Sequence, residues 1–156
     1  MIGFQELLIK LRGPDWIPPA RLLVIDPGET TGVAIFNKGQ IEVVKQLTGG
    51  WAGMVQELNE IFTVLRPTYV VVEDYKVYAH KTKDHTWSSL FTPKLIGAIE
   101  ALCTLQGIQP VMQMASCKQF VTNDKLRAWN MYVPGQPHAR DAIRHSCYFL
   151  LFNKDI

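Results

Sequence analysis

The chain has 156 residues, 47% apolar and 19% charged, with a formal net charge of +2. That is enough chain for one domain with a sizeable core, and too apolar for wholesale disorder. No apolar run approaches the roughly 20 residues of a membrane span, and a charge this near neutrality neither demands nor excludes a nucleic-acid partner.

The first residues, MIGFQELLIKLRGPDW, carry an early acid and no small-residue cleavage site, which makes a poor signal peptide. Phe4, Leu7, Leu8 and Leu11 share a helical stripe, closed by Gly13-Pro14 and followed by the connector DWIPPA. Residues 1–20 therefore read as an extension with a short amphipathic helix, able to cap the fold or join a partner, ahead of a single domain over 21–156.

Residues 21–26 read as a buried strand and residues 32–37 as a second. GQIEVVKQL forms a third, with Lys38-Gly39 as the hairpin bend. Helical periodicity runs through Met54, Val55, Leu58, Ile61, Phe62 and Leu65 until Arg66-Pro67. TYVVVED is too apolar for an exposed edge and reads as a central strand ending in Glu73 and Asp74. A basic segment, YKVYAHKTKDH, precedes a helix expected near 87–106. Its Trp87, Leu90, Phe91 and Leu95 suit either a dimer surface or packing on the sheet. IQPVMQM is a short strand, SCKQFV and DKLRAW are helical fragments, and HARDAIRHSCYFLLF is the last helix. This order predicts an α/β fold, a mixed sheet flanked by helices.

Two central strands end in an acid, Asp26 and Glu73, and ligands gather beyond the carboxyl ends of strands in open α/β sheets. In the last helix His138, Asp141 and His145, at i, i+3 and i+7, form a stripe along the edge of the apolar face. Arg140 and Arg144 are expected to face solvent. Asp26, Glu73 and Asp141 together would make an oxygen-rich cage for hard cations such as Mg²⁺ or Mn²⁺. Two such ions about 4 Å apart activate water and stabilise the leaving oxygen of a phosphodiester. His138 would ligate an ion or transfer a proton. Glu29, beside Asp26 in the turn, is expected to face solvent, with an outer role at the metal as the alternative. Cys103, Cys117 and Cys147, odd in number and never in C-x-x-C spacing, read as reduced thiols of a cytoplasmic protein.

With DPGETTGVAIF on the first hairpin, VVVED on the fourth strand and HARDAIRHS opening the last helix, the sequence resembles the RuvC-like Holliday junction resolvases of the ribonuclease H-like fold. The resemblance covers residues 21 to 153. It implies a five-stranded mixed sheet and a catalytic, metal-binding set of Asp26, Glu73, His138 and Asp141. It also implies a two-metal site for Mg²⁺ with Mn²⁺ able to substitute. A homodimer would nick a four-way DNA junction in symmetrical pairs, leaving a 5′-phosphate and a 3′-hydroxyl. The compact length and altered termini are closer to the phage-type branch, placing the protein in a bacterial cell or a phage-infected host. The glycine-rich segment that the family often shows after its fifth strand is reduced to MASCKQFVTNDK, where Lys118 and Lys125 match basic residues of the family loosely.

A four-way junction offers phosphates to cations and strained bases to aromatic rings. Tyr75, Lys76, Tyr78, Lys81 and Lys83 follow Glu73 directly and are the expected DNA contacts, with Tyr75 or Tyr78 wedging the crossover, together with Lys118 and Lys125. Nothing resembles a helix-turn-helix or zinc-finger reader of base edges.

Three alternatives compete. A ribonuclease H-like nuclease acting on structured or pre-ribosomal RNA would use the same acids. An ATP-binding protein of the actin and sugar-kinase superfamily opens on a similar turn but needs two such domains. A non-catalytic junction-binding protein would have to bear the repulsion among three acids.

Overall fold

Five strands form one sheet in the order β3-β2-β1-β4-β5. The computed structural model describes residues 1–75 and 90–156. In chain order the elements are α1 (Phe4–Arg12), β1 (Leu22–Asp26), β2 (Thr31–Asn37), β3 (Gln40–Leu47), α2 (Gly50–Leu65) and β4 (Tyr69–Glu73). They continue with α3 (Phe91–Leu105), β5 (Val111–Gln113), a 3₁₀ segment (Ala115–Phe120), α4 (Asn123–Ala128) and α5 (Pro137–Phe152). The first three strands are antiparallel neighbours, whereas β1–β4 and β4–β5 are parallel. This is the expected mixed α/β sheet.

Lys38 and Gly39 both adopt positive φ, 49° and 78°, between the paired Asn37 and Gln40. A two-residue turn with that backbone matches the twist of the flanking strands.

Strand alternation builds two cores from one sheet. Leu22, Val24, Ala34, Phe36 and Val71 face α5, α4 and α1, in a cluster with Phe4, Leu8, Leu126, Ala142, Ile143 and Phe149. Leu23, Ile25, Val33, Ile35, Val70 and Val72 face the opposite way, onto Met54, Leu58 and Phe62 of α2 and Leu95, Ile99 and Cys103 of α3. Every residue of β1 is buried, as a strand covered on both faces must be.

The N-terminal helix is used inside the molecule. Phe4 and Leu8 are buried in the first core, and Arg12 Nε donates to the Leu150 carbonyl of α5 at 2.9 Å. Of the apolar residues considered for a dimer surface on α3, Leu95 belongs to the second core and Phe91 packs edge-on against Trp51, leaving Leu90 exposed; Trp87 lies outside the described residues. No described helix is long and apolar enough to cross a membrane.

Candidate active site

Parity places the acids. Asp26 falls in step with Leu22 and Val24, and Glu73 with Val71, so both carboxylates emerge on the α5 face of the sheet. The parallel register pairs Ile25 with Val72, and the next residue along each strand is Asp26 and Glu73. Two adjacent strand ends thus offer acids side by side, and α5 runs past them. Asp26, Glu73 and Asp141 each supply a carboxylate oxygen, all within 4.8 Å of one another.

The close approach of α5 depends on a glycine. Gly32 pairs with Asp26 across the hairpin. A Cβ on Gly32 would lie 1.9 Å from the His138 carbonyl oxygen, which no side chain tolerates. The last glycine of DPGETTG is therefore the seat for the first turn of α5. Gln46, on the same face of β3, accepts the backbone N–H of His138 at 3.0 Å and of Ala139 at 3.4 Å, satisfying donors that a helix start leaves open. Pro137 opens the helix without needing such a partner. Just before Gly32, Thr31 ties the turn, its hydroxyl donating to the Gly28 carbonyl at 2.8 Å and accepting the Gly28 N–H at 3.2 Å.

One stripe of α5 then meets the strand ends in succession. His138 Nδ1 lies 3.1 Å from Asp26 Oδ2, and His145 Nε2 lies 2.8 Å from Glu73 Oε2. Lys118, from the 3₁₀ segment, places Nζ 2.9 Å from Glu73 Oε2 and 2.8 Å from Asp141 Oδ2. Arg144 also pairs with Asp141.

These contacts set the charges. Burial, reinforced by the neighbouring Glu73 charge, pushes the Asp26 carboxyl up from 3.8 to about 6, against the opposing pull of Lys118 and His138. Burial also acts upward on Glu73, but hydrogen bonds from His145 and Lys118 outweigh it, and that carboxyl sits below the ordinary range. Desolvation acts downward on Lys118, yet its bonds to Asp141 and Glu73 hold the ammonium above its usual value. An ammonium is thus already seated between two of the three carboxylates, Glu73 and Asp141. The donor set is all hard oxygen with an imidazole at its margin, and its charge is partly uncompensated. It fits a hard divalent cation rather than a soft one.

The structure brings Asp26, Glu73 and Asp141 together, with His138 beside Asp26. Lys118 enters the acid cluster itself, while Lys125 turns away, its Nζ on the Phe120 carbonyl at 2.6 Å. Tyr75 follows the end of β4, half-buried; Lys76, Tyr78, Lys81 and Lys83 lie outside the described residues. Glu29 is exposed in the turn.

The expectation for two arginines is corrected. Arg144 does not face solvent: besides Asp141, it donates to the Val121 carbonyl at 3.0 Å and to Asn123 Oδ1 at 2.6 Å. Arg140 donates to the Val133 carbonyl at 2.8 Å and stacks over Tyr132. A helical wheel assigns that side to water, but residues 121–133 fold back over it. His145, which the sequence assigns only to the α5 stripe, is fully buried against Glu73. Its position four residues after Asp141 was the signal that could have found it. Cys103 and Cys147 are buried, and desolvation raises both thiols, to about 11 for Cys103.

No protein-family model matches the chain, and no curated protein sequence does. Solved structures match it. Thermus thermophilus RuvC in complex with a Holliday junction substrate aligns at TM-score 0.67 and 13% identity, over 84% of this chain and 92% of that one. Another Thermus thermophilus RuvC structure gives 0.62 and 14%, over 84% and 93%. The yeast mitochondrial Holliday junction resolvase Ydc2 gives 0.57 and 14%, over 94% and 84%. The likeness establishes the fold, a ribonuclease H-like α/β architecture of the RuvC type.

Proposed function

We propose that this chain is a metal-dependent, structure-selective endonuclease that resolves four-way DNA junctions. One observation carries the reading. Acids from β1, β4 and α5, distant in sequence, converge at the strand ends of a fold shared with a protein whose structure holds a Holliday junction.

In this reading Asp26, Glu73, Asp141 and His138 hold a pair of Mg²⁺ ions, with Mn²⁺ able to substitute. The ions supply activation of water and stabilisation of the leaving oxygen. The carboxylates fix where the attack occurs, on the α5 face beyond β1 and β4. His138, with Nδ1 on Asp26 and nearly half its side chain exposed, ligates or carries a proton to or from the reacting groups. Lys118 balances Glu73 and Asp141 in the absence of an ion and turns to a phosphate when one is bound. Tyr75, Lys76, Tyr78, Lys81, Lys83 and Lys125 bind the junction arms or stack at the crossover.

Paired symmetrical nicks, each leaving a 5′-phosphate and a 3′-hydroxyl, require two such sites, hence a homodimer. Three free thiols, two of them buried, suit the reducing cytoplasm of a bacterium or a phage-infected cell.

The test is cleavage of a labelled four-way junction against linear duplex and structured RNA, with Mg²⁺, Mn²⁺ or EDTA, alongside Asp26→Asn and Asp141→Asn. Paired nicks on the junction alone, abolished by EDTA and by either substitution, are expected. Binding without cutting would favour a scaffold, and degradation of RNA alone would replace the substrate.

A further inference from the structure

Behind the acid cluster lies a buried polar chain that the proposed chemistry does not use. Gln113, at the end of β5, is in step with Val111 on the α5 face of the sheet and almost wholly buried. Its Nε2 lies 3.1 Å from His145 Nδ1 and 3.0 Å from the His145 backbone carbonyl. The carbonyl can only accept, so the Gln113 atom facing it must be the amide nitrogen and not the oxygen. That same nitrogen has a second proton for Nδ1. An Nδ1 that accepts cannot carry a hydrogen, so the imidazole proton sits on Nε2, where it donates to Glu73 Oε2 at 2.8 Å.

We propose that Gln113 and His145 are positioning residues, a buried relay that sets the His145 tautomer and thereby the orientation of the Glu73 carboxylate in the cation site. The inference rests on the metal-site reading above and deepens it. Glu73 is the last residue of β4; its backbone pairs with Gln113, and the Asp74 N–H donates to the Gln113 carbonyl at 2.7 Å, but that pairing fixes the backbone and leaves the carboxylate to be oriented by side chains. The His145 and Lys118 bonds both land on Oε2. Lys118 is long, partly exposed and has to yield to an incoming cation. His145 is wholly buried on the rigid body of α5 and does not yield. A carboxylate held from behind by an imidazole N–H keeps its geometry when the ammonium leaves, and partners of this kind strengthen ligation without touching the ion.

Two readouts on the full-length protein test this. The ¹⁵N-imidazole NMR spectrum of the metal-free protein should show the His145 proton on Nε2 with Nδ1 accepting from Gln113, and Gln113→Leu should lose that single tautomer. Mn²⁺ binding, followed by electron paramagnetic resonance of the free ion, should weaken about 10- to 100-fold in His145→Leu and in Gln113→Leu. His145→Gln, which keeps an N–H at the Nε2 position, should recover affinity to within about threefold, and circular dichroism should show all variants folded. If His145→Leu does not fold, Gln113→Leu and the wild-type tautomer decide. A proton on Nδ1, or unchanged Mn²⁺ affinity in the leucine variants, would overturn the relay while leaving the metal site standing. Wild-type protein with the expected tautomer but no Mn²⁺ binding would instead bring down the metal site, and the relay's role with it.

Discussion

Asp26 is the residue on which several physical effects meet, and they do not agree. Burial and the neighbouring Glu73 oppose its ionisation, while Lys118 and His138 favour it, and the balance leaves the carboxyl at about 6 instead of 3.8. A carboxyl raised in the folded state contributes stability below its unfolded value and loses that contribution as pH rises through 6. The shift corresponds to about 3 kcal/mol at most. In EDTA, Asp26→Asn should therefore be more stable than wild type at pH 7.5, by up to about 3 kcal/mol, with the advantage shrinking toward pH 4. Urea unfolding at the two pH values measures it. An advantage that is absent at pH 7.5, or equal at both, would show that Asp26 is not held desolvated. Glu73 moves the other way, losing stability as pH falls through its depressed value, a contribution common to both proteins. The expected antagonism between function and stability is thus concentrated in one side chain.

At the scale of elements, the site exists because α5 docks on β2 without a side chain between them. Gly32→Ala places a methyl group inside the His138 backbone and must lift the first turn of α5 away from Asp26. A loss of more than about 3 kcal/mol is expected, overpacking against backbone that cannot yield. Gly53→Ala is the control. It lies inside α2 with nothing within 4 Å of the added methyl, and should stabilise by up to about 1 kcal/mol. Thermal unfolding of both variants separates a steric seat from an ordinary glycine. Arg140 and Arg144 are covered for a related reason: a helical wheel knows one helix, and the chain over residues 121–133 covers the side it assigns to solvent.

For the whole molecule, the sheet carries two cores, and α1 closes the one beneath the site. Phe4 and Leu8 fill it, Trp129 Nε1 reaches the Ile2 carbonyl at 3.3 Å, and Trp16 Nε1 reaches the Ile156 carbonyl at 3.4 Å. Of the two roles expected for this extension, capping the fold or joining a partner, the packing of Phe4 and Leu8 serves the first. Leu8→Ala should cost about 2–5 kcal/mol, as for other buried leucines, whereas exposed Ile9→Ala should stay within about 0.5 kcal/mol. Equal, small effects in denaturant titrations would mean that α1 is loosely attached.

What was legible in the sequence was whatever depends on local pattern. Alternation and β-branched runs marked all five strands, periodicity marked the helices, and Lys38-Gly39 marked the first hairpin. Strand ends at Asp26 and Glu73, with His138 and Asp141 one turn apart on a helix, were legible as candidates, and the family resemblance joined them into the four residues that the fold gathers. Only the tertiary structure decided the rest. Gly32 looks like any turn glycine until α5 lies against it, and Lys118 looks like a phosphate contact until its ammonium is found between Glu73 and Asp141. Gln113 and His145 are 32 residues apart, and nothing in either neighbourhood predicts the hydrogen bond between them. Those facts depend on which elements cross and how closely, a property of packing that local periodicity does not encode.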